Sequence, residues 1–218
     1  MRRSESSFRL ATQGVSRVLL DAAEFHLAHQ NNSFDALAME DALLLEKQES
    51  GAWAHLLMNL ETFGLTSAKR VKGLVLVGPR GSGKREAIDL ALESVPDLHH
   101  IKRMSYATFM DQSISELLRI RNDSSLPLRD PVPYMTHALA KKEGVQVLVV
   151  EDMLVTSLVE AMLLRRMFKG LLGYGLGVVI TTTRPPSTWY ANGVNAHKLE
   201  PFRRLVTEQC DLVRMDQE

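Results

Sequence analysis

Residues 73–93 constrain this chain more than any other stretch. Gly73-Leu74-Val75-Leu76-Val77 is a short Val/Leu run of the kind that forms a buried parallel strand. A Gly-rich turn follows at once, Gly78-Pro79-Arg80-Gly81-Ser82-Gly83-Lys84-Arg85, and residues 86–93 read as a helix. The turn fits G-x-x-x-x-G-K in the strand–turn–helix setting that a phosphate-binding loop requires. Its glycines let backbone N–H groups converge on a phosphate, and the helix N-terminus adds partial positive charge. Lys84 is placed to reach the β- and γ-phosphates of a nucleotide. The motif continues with Ser or Thr, whose hydroxyl binds Mg²⁺. Here that residue is Arg85. Taken alone, the loop also reads as an unliganded βα turn.

At 218 residues and 45% apolar content the chain can build one α/β domain plus an appendage. Lys+Arg and Asp+Glu both number 26, so no global basic field points to nucleic acid. The single Cys210 excludes an internal disulfide framework and suits a reducing compartment. His26 and His29 share a helix without completing a metal set and read as solvated. No apolar run approaches the length of a membrane span. Arg2, Arg3, Arg9 and Arg17, with Glu5 as the lone acid before Asp21, suit an organellar transit segment or simply a basic first helix.

Residues 8–30 are expected to be helical, with Leu10, Val18, Leu19, Ala22, Phe25 and Leu27 as an apolar stripe that breaks near Gly14. Two further helices are expected around 34–45 and 53–60, packed on the α/β domain. Residues 66–72 are a polar linker. Beyond the loop helix, 100–106 reads as a mixed strand. Residues 109–119 read as a helix with Phe109, Ile114, Leu117 and Leu118 inward. Asp130-Pro131-Val132-Pro133 opens a helix that ends near Gly144. Residues 145–150 form the most hydrophobic strand, which ends in Glu151-Asp152. Acids at that position sit where open α/β sheets bind ligands, and an apolar strand ending in acids is the Walker B pattern that holds Mg²⁺. Alternatively, Asp152 caps a helix over 155–168, whose apolar marks are Val159, Met162, Leu163 and Phe168. A strand at 178–181 leads into Thr182-Thr183-Arg184-Pro185-Pro186, and a last strand lies near 210–215. Strands that alternate with helices predict a three-layer α/β sandwich around a parallel sheet.

Several segments, in order, give the chain a family resemblance. They are Asp130-Pro131-Val132-Pro133 with Ala138-Leu139-Ala140, Val155-Thr156 with the 161–168 helix, Thr181-Thr182-Thr183-Arg184-Pro185-Pro186, Tyr190-Ala191-Asn192-Gly193, and Pro201-Phe202. Together they resemble the ZapE-type or lactation-elevated AAA+ ATPases, the AFG-one-like group of bacteria and mitochondria. The resemblance implies an AAA+-like P-loop core over 66–218, with residues 1–65 as an N-terminal helical appendage. The chain given ends soon after its last strand, so a core without the family's C-terminal helical part is expected. The implied ligand is ATP or ADP, held by residues 78–85, with Mg²⁺ at Glu151. The implied setting is the mitochondrial matrix side, or the cytoplasm for a bacterial source.

The departures from the family pattern fall on the hydrolytic positions. Arg85 replaces the loop Thr. Glu151-Asp152 reverses the family's Asp-Glu, which places Asp152 at the catalytic position. Thr183 stands for the sensor Asn, and Ala196 for a candidate arginine finger. The expectation is therefore a degenerate member that binds ATP or ADP with little or no hydrolysis and serves as a subunit or assembly factor of a larger complex. The alternatives are an active ATPase of mitochondrial protein quality control and an RNA-contacting accessory protein. The RNA reading would need Lys69-Arg70, Lys102-Arg103, Arg165-Arg166 with Lys169, and Arg203-Arg204 to form one basic face.

Overall fold

A computed structural model describes residues 2–29, 71–95, 100–123 and 130–215. The second and third N-terminal helices expected from the sequence lie outside these residues, as does the proposed boundary at 65/66. Five strands form one sheet: β1 (Gly73–Val77), β2 (Ile101–Ser105), β3 (Val147–Glu151), β4 (Gly177–Thr182) and β5 (Cys210–Arg214). Their order is β2-β3-β4-β1-β5, and every neighbouring pair is parallel. β1, β3 and β4 are central and almost wholly apolar because both of their faces are covered.

Side-chain alternation sends each strand's residues into two cores. Leu74, Leu76, Val147, Val149 and Val179 face a layer made of α1 (Arg2–His29) and the loop helix α2 (Lys84–Glu93). Val75, Val77, Leu148, Val150, Val178 and Ile180 face the opposite layer. That layer contains α3 (Tyr106–Asn122), α4 (Pro131–His137), α5 (Leu158–Gly173) and α6 (Glu200–Gln209). The result is the three-layer P-loop NTPase sandwich expected from the sequence.

α1 is part of this core. Val15, Val18 and Leu19 are fully buried, and each such side chain contributes about 1.5–3 kcal/mol. The helix runs unbroken through Gly14, where a Cβ would come within 3.2 Å of Leu74. Glycine here lets helix and strand approach closely and does not break the helix. Leu10 and Leu27, placed in the apolar stripe by sequence, are exposed.

Ser105 caps α3 by accepting from Thr108 N–H, and Asp130 caps α4 by accepting from Val132 N–H. α4 passes into a π-helical turn at Ala138–Lys142. α5 is capped by Ser157, which accepts from Glu160 N–H. Asp152 is therefore not its cap; residues 153–157, without regular structure, separate it from the helix. α3 and α5 are also turned relative to expectation. Ile114, Leu118, Val159 and Met162 are exposed, while Met110, Ser113, Ala161 and Leu164 are buried.

Candidate functional site: the loop at the C-terminal edge of the sheet

The loop after β1 lies at the C-terminal edge of the sheet, where strands of this topology meet their ligands. Gly81 and Gly83 adopt φ of 78° and 79°, the left-handed region that glycine enters without strain. At Gly78 the constraint is space. A Cβ would lie 2.4 Å from the Met215 carbonyl and 2.6 Å from Ser82 Oγ. Lys84 folds back into the loop it follows. Its ammonium donates to the Gly78 carbonyl at 2.7 Å, to the Pro79 carbonyl at 2.6 Å and to Ser82 Oγ at 3.3 Å. Burial lowers its pKa below the ordinary lysine value, against the opposing pull of Asp152 and Glu86. Gly83 precedes α2 without a side-chain cap, so no side chain at that position occupies the first-turn N–H groups. Arg80 is exposed.

The two acids after β3 have different surroundings. Glu151, the last strand residue, is 13% exposed in its side chain. Its Oε1 accepts from Arg103 Nε at 3.0 Å and Nη2 at 2.6 Å, and its Oε2 accepts from Arg85 Nη2 at 3.2 Å. Arg103 comes from β2, one strand over, and also pairs with Asp89 of α2. A four-residue ionic cluster, Arg85–Glu151–Arg103–Asp89, thus ties β2, β3 and α2 together beside the loop. Exposed pairs contribute about 0–1 kcal/mol, whereas stripping one partner from a buried pair costs about 3–5 kcal/mol. With Arg103 at 26% exposure, the Arg103–Glu151 pair falls between these limits.

Asp152 leaves the strand with φ of 55°. Its N–H donates to Thr181 Oγ1 at 2.8 Å, and its charge acts on Lys84. Thr181 and Thr182 are buried, and Thr182 Oγ1 donates to the Met153 carbonyl at 2.9 Å. These two threonines clasp β4 to the segment after β3. Thr183, the residue at the sensor position, is exposed one step past the strand.

The AFG1-like ATPase family model matches residues 20–218. The chain belongs to the AFG1-like ATPase family. It is 28% identical to an uncharacterised protein of Schizosaccharomyces pombe over 146 residues, 66% of this chain and 32% of that one. It is 27% identical to the cell division protein ZapE of Escherichia coli over 146 residues, 67% and 37% of the two chains. It is also 27% identical to lactation elevated protein 1 homolog B of Danio rerio over 151 residues, 66% and 29%. The chain spans about a third of the length of these relatives. They include bacterial and eukaryotic proteins.

Much of what marks this AFG1-like chain by sequence serves packing. Trp189 is 2% exposed, stacks on Phe202 at 5.7 Å and donates its indole N–H to the Arg184 carbonyl at 3.0 Å. Phe202 continues to Phe168 and Phe109, an aromatic line through the core. Arg203 closes the end by donating to the Trp189 carbonyl. The Tyr190 ring lies over Gly193, where a Cβ would come within 2.1 Å of it. That explains the Tyr-x-x-Gly spacing sterically. Asp130 pairs with Arg166, joining α4 to α5. Ala196 sits in a short 3₁₀ turn, Ala196–Leu199.

The loop, Lys84, Arg85, Glu151 and Asp152 are brought together; Thr183 is exposed just past the end of β4, and Ala196 lies in the turn before α6. Sequence reasoning missed Arg103, Asp89, Thr181 and Thr182 as site residues. The available signal is an Arg within a mixed strand, two residues before the position that pairs with Glu151. The magnesium ion that the family implies does not fit these residues. Arg85 occupies the hydroxyl-ligand position, and both Glu151 oxygens accept from guanidinium groups. Among the described residues no cluster of three or more His, Cys, Asp or Glu forms a metal site, and no helix is long and apolar enough to cross a membrane.

Proposed function

We propose that this AFG1-like chain holds ATP or ADP in its loop with little or no hydrolysis and acts as a fixed subunit or assembly factor of a larger complex, within mitochondria in a eukaryotic source. The observation that carries this reading is the engagement of Glu151 by Arg103 and Arg85. Hydrolysis needs two carboxylates, one at the Asp152 position to polarise the attacking water and one at the Glu151 position free to order a metal. Here the Glu151 carboxylate is neutralised from both sides, while the phosphate cradle of glycines and Lys84 is kept. A misplaced general base forfeits roughly 10²–10⁴ in rate, and a lost arginine finger about 10³–10⁵. Retention without turnover has a thermodynamic use. Nucleotide at about a hundred times its dissociation constant stabilises the fold by about 2.7 kcal/mol.

Of the basic residues that an RNA-binding reading needs, Lys69 and Arg70 lie outside the described residues. Lys102, Arg103, Arg166, Arg203 and Arg204 each pair with an acid. Equilibrium titration of the purified protein with a fluorescent ADP analogue tests the binding claim. Saturable binding that Lys84→Ala removes is expected. Binding that survives this substitution would place the nucleotide elsewhere or show it to be nonspecific.

A further inference from the structure

We infer that this site takes its nucleotide without a divalent cation, with the Arg85 guanidinium in the metal's place. The inference rests on the nucleotide-binding reading above and concerns the form in which the ligand is bound. Mg²⁺ requires near-octahedral oxygen ligands at about 2.0–2.1 Å. Beside Asp152, this site presents a guanidinium at the hydroxyl-ligand position and a second carboxylate, Glu151, already held by two guanidinium groups. Arg85 follows Lys84 on the first turn of α2, at the position where the loop motif carries its metal-binding hydroxyl. Its side chain is 66% exposed and reaches Glu151 through a single 3.2 Å contact.

The arrangement around Glu151 makes a change of partner inexpensive. Arg103 already holds Oε1 through two nitrogens. When Arg85 turns from Oε2 to a phosphate, Glu151 therefore keeps a cationic partner. Asp89 in turn stays bound to Arg103. The guanidinium can then donate two parallel N–H···O bonds to phosphate oxygens, a geometry that an ammonium cannot match. Lys84 makes the corresponding move from the Gly78 and Pro79 carbonyls. Arg85 thereby adds one positive charge to the one that Lys84 supplies. A divalent ion entering with the nucleotide would meet Arg85 where it needs an oxygen. The ligand class is thus a metal-free nucleoside di- or triphosphate. Free Mg²⁺, by complexing the nucleotide in solution, competes with the protein.

Calorimetric titration with ADP and ATP, in EDTA and in millimolar Mg²⁺, tests this on the full chain. The expected dissociation constant in EDTA equals or is below that in Mg²⁺. Arg85→Ala is expected to weaken binding about tenfold in EDTA with no recovery on adding Mg²⁺. Arg85→Thr is expected to lose affinity in EDTA and to regain part of it in Mg²⁺. Thermal unfolding of the same samples verifies that the variants are folded. Wild-type affinity that falls about tenfold or more on chelation overturns the inference and leaves nucleotide binding standing. An Arg85→Ala protein that binds like the wild type in EDTA overturns the role given to Arg85. Absence of binding in both buffers overturns the inference and the proposed function together.

Discussion

Replacing Arg103 with Met tests the ionic cluster at its centre. The substitution keeps the length of the aliphatic stem and removes the guanidinium. Glu151, 13% exposed, then loses two charge-assisted hydrogen bonds and keeps only Arg85, which is itself 66% exposed. Asp89, 48% exposed, loses its partner at little cost because water solvates it. The Glu151 share lies between the exposed and buried limits, so the expected loss is about 2 kcal/mol. For a protein of this size that lowers Tm by about 4–8 °C. Urea unfolding of Arg103→Met, Glu151→Gln and the double variant isolates the pair. A coupling of about 1–2 kcal/mol is expected, because a neutral Gln needs no counter-charge. Single effects that add to within about 0.5 kcal/mol would refute the claim that Arg103 neutralises Glu151.

Three further outcomes follow from the packing. Gly78→Ala forces a Cβ against the Met215 backbone carbonyl at 2.4 Å; the urea midpoint should fall by the equivalent of about 1–3 kcal/mol, and nucleotide binding should fall with it. Trp189→Ala opens a cavity beside Phe202 and should cost about 3–5 kcal/mol by the same assay. The Cys210 thiol is pushed up to about 12 by burial and then by Asp211, so at pH 8 on the order of 10⁻⁴ of it is thiolate. Folded protein should not react with a thiol reagent, whereas urea-unfolded protein should react fully. The raised value favours the protonated thiol in the fold. Its stabilisation is complete below the unfolded value of about 8.5 and is lost as pH rises toward 12.

The central strands were legible because burial on both faces leaves a signal that a short Val/Leu run carries by itself. β1, β3 and β4 fall within two residues of expectation. Helix facing was less legible. α5 carries apolar residues around much of its circumference, so periodicity allows more than one inward face. Small residues decide between them: a Cβ at Gly170 would touch Thr136 of α4 at 2.8 Å, and Ala161 is buried. The interior therefore selects the side where backbones approach most closely, and Val159 and Met162 are left outside. The strand–turn–helix course of the loop is legible from its motif. The cluster beside it is not, because Arg103 lies 48 residues from Glu151 and meets it only through the β2–β3 pairing. The sequence reading gives α6 only Pro201-Phe202, although Phe202 and Val206 anchor it in the core.

The central claim is that this AFG1-like site keeps nucleotide without turning it over. Single-turnover phosphate release from labelled ATP, with protein in excess and the Lys84→Ala variant as background, tests it most directly. The account predicts that ATP is bound and recovered intact, with release no faster than the variant's. Mg²⁺-dependent release that exceeds this background and vanishes in Lys84→Ala would contradict it.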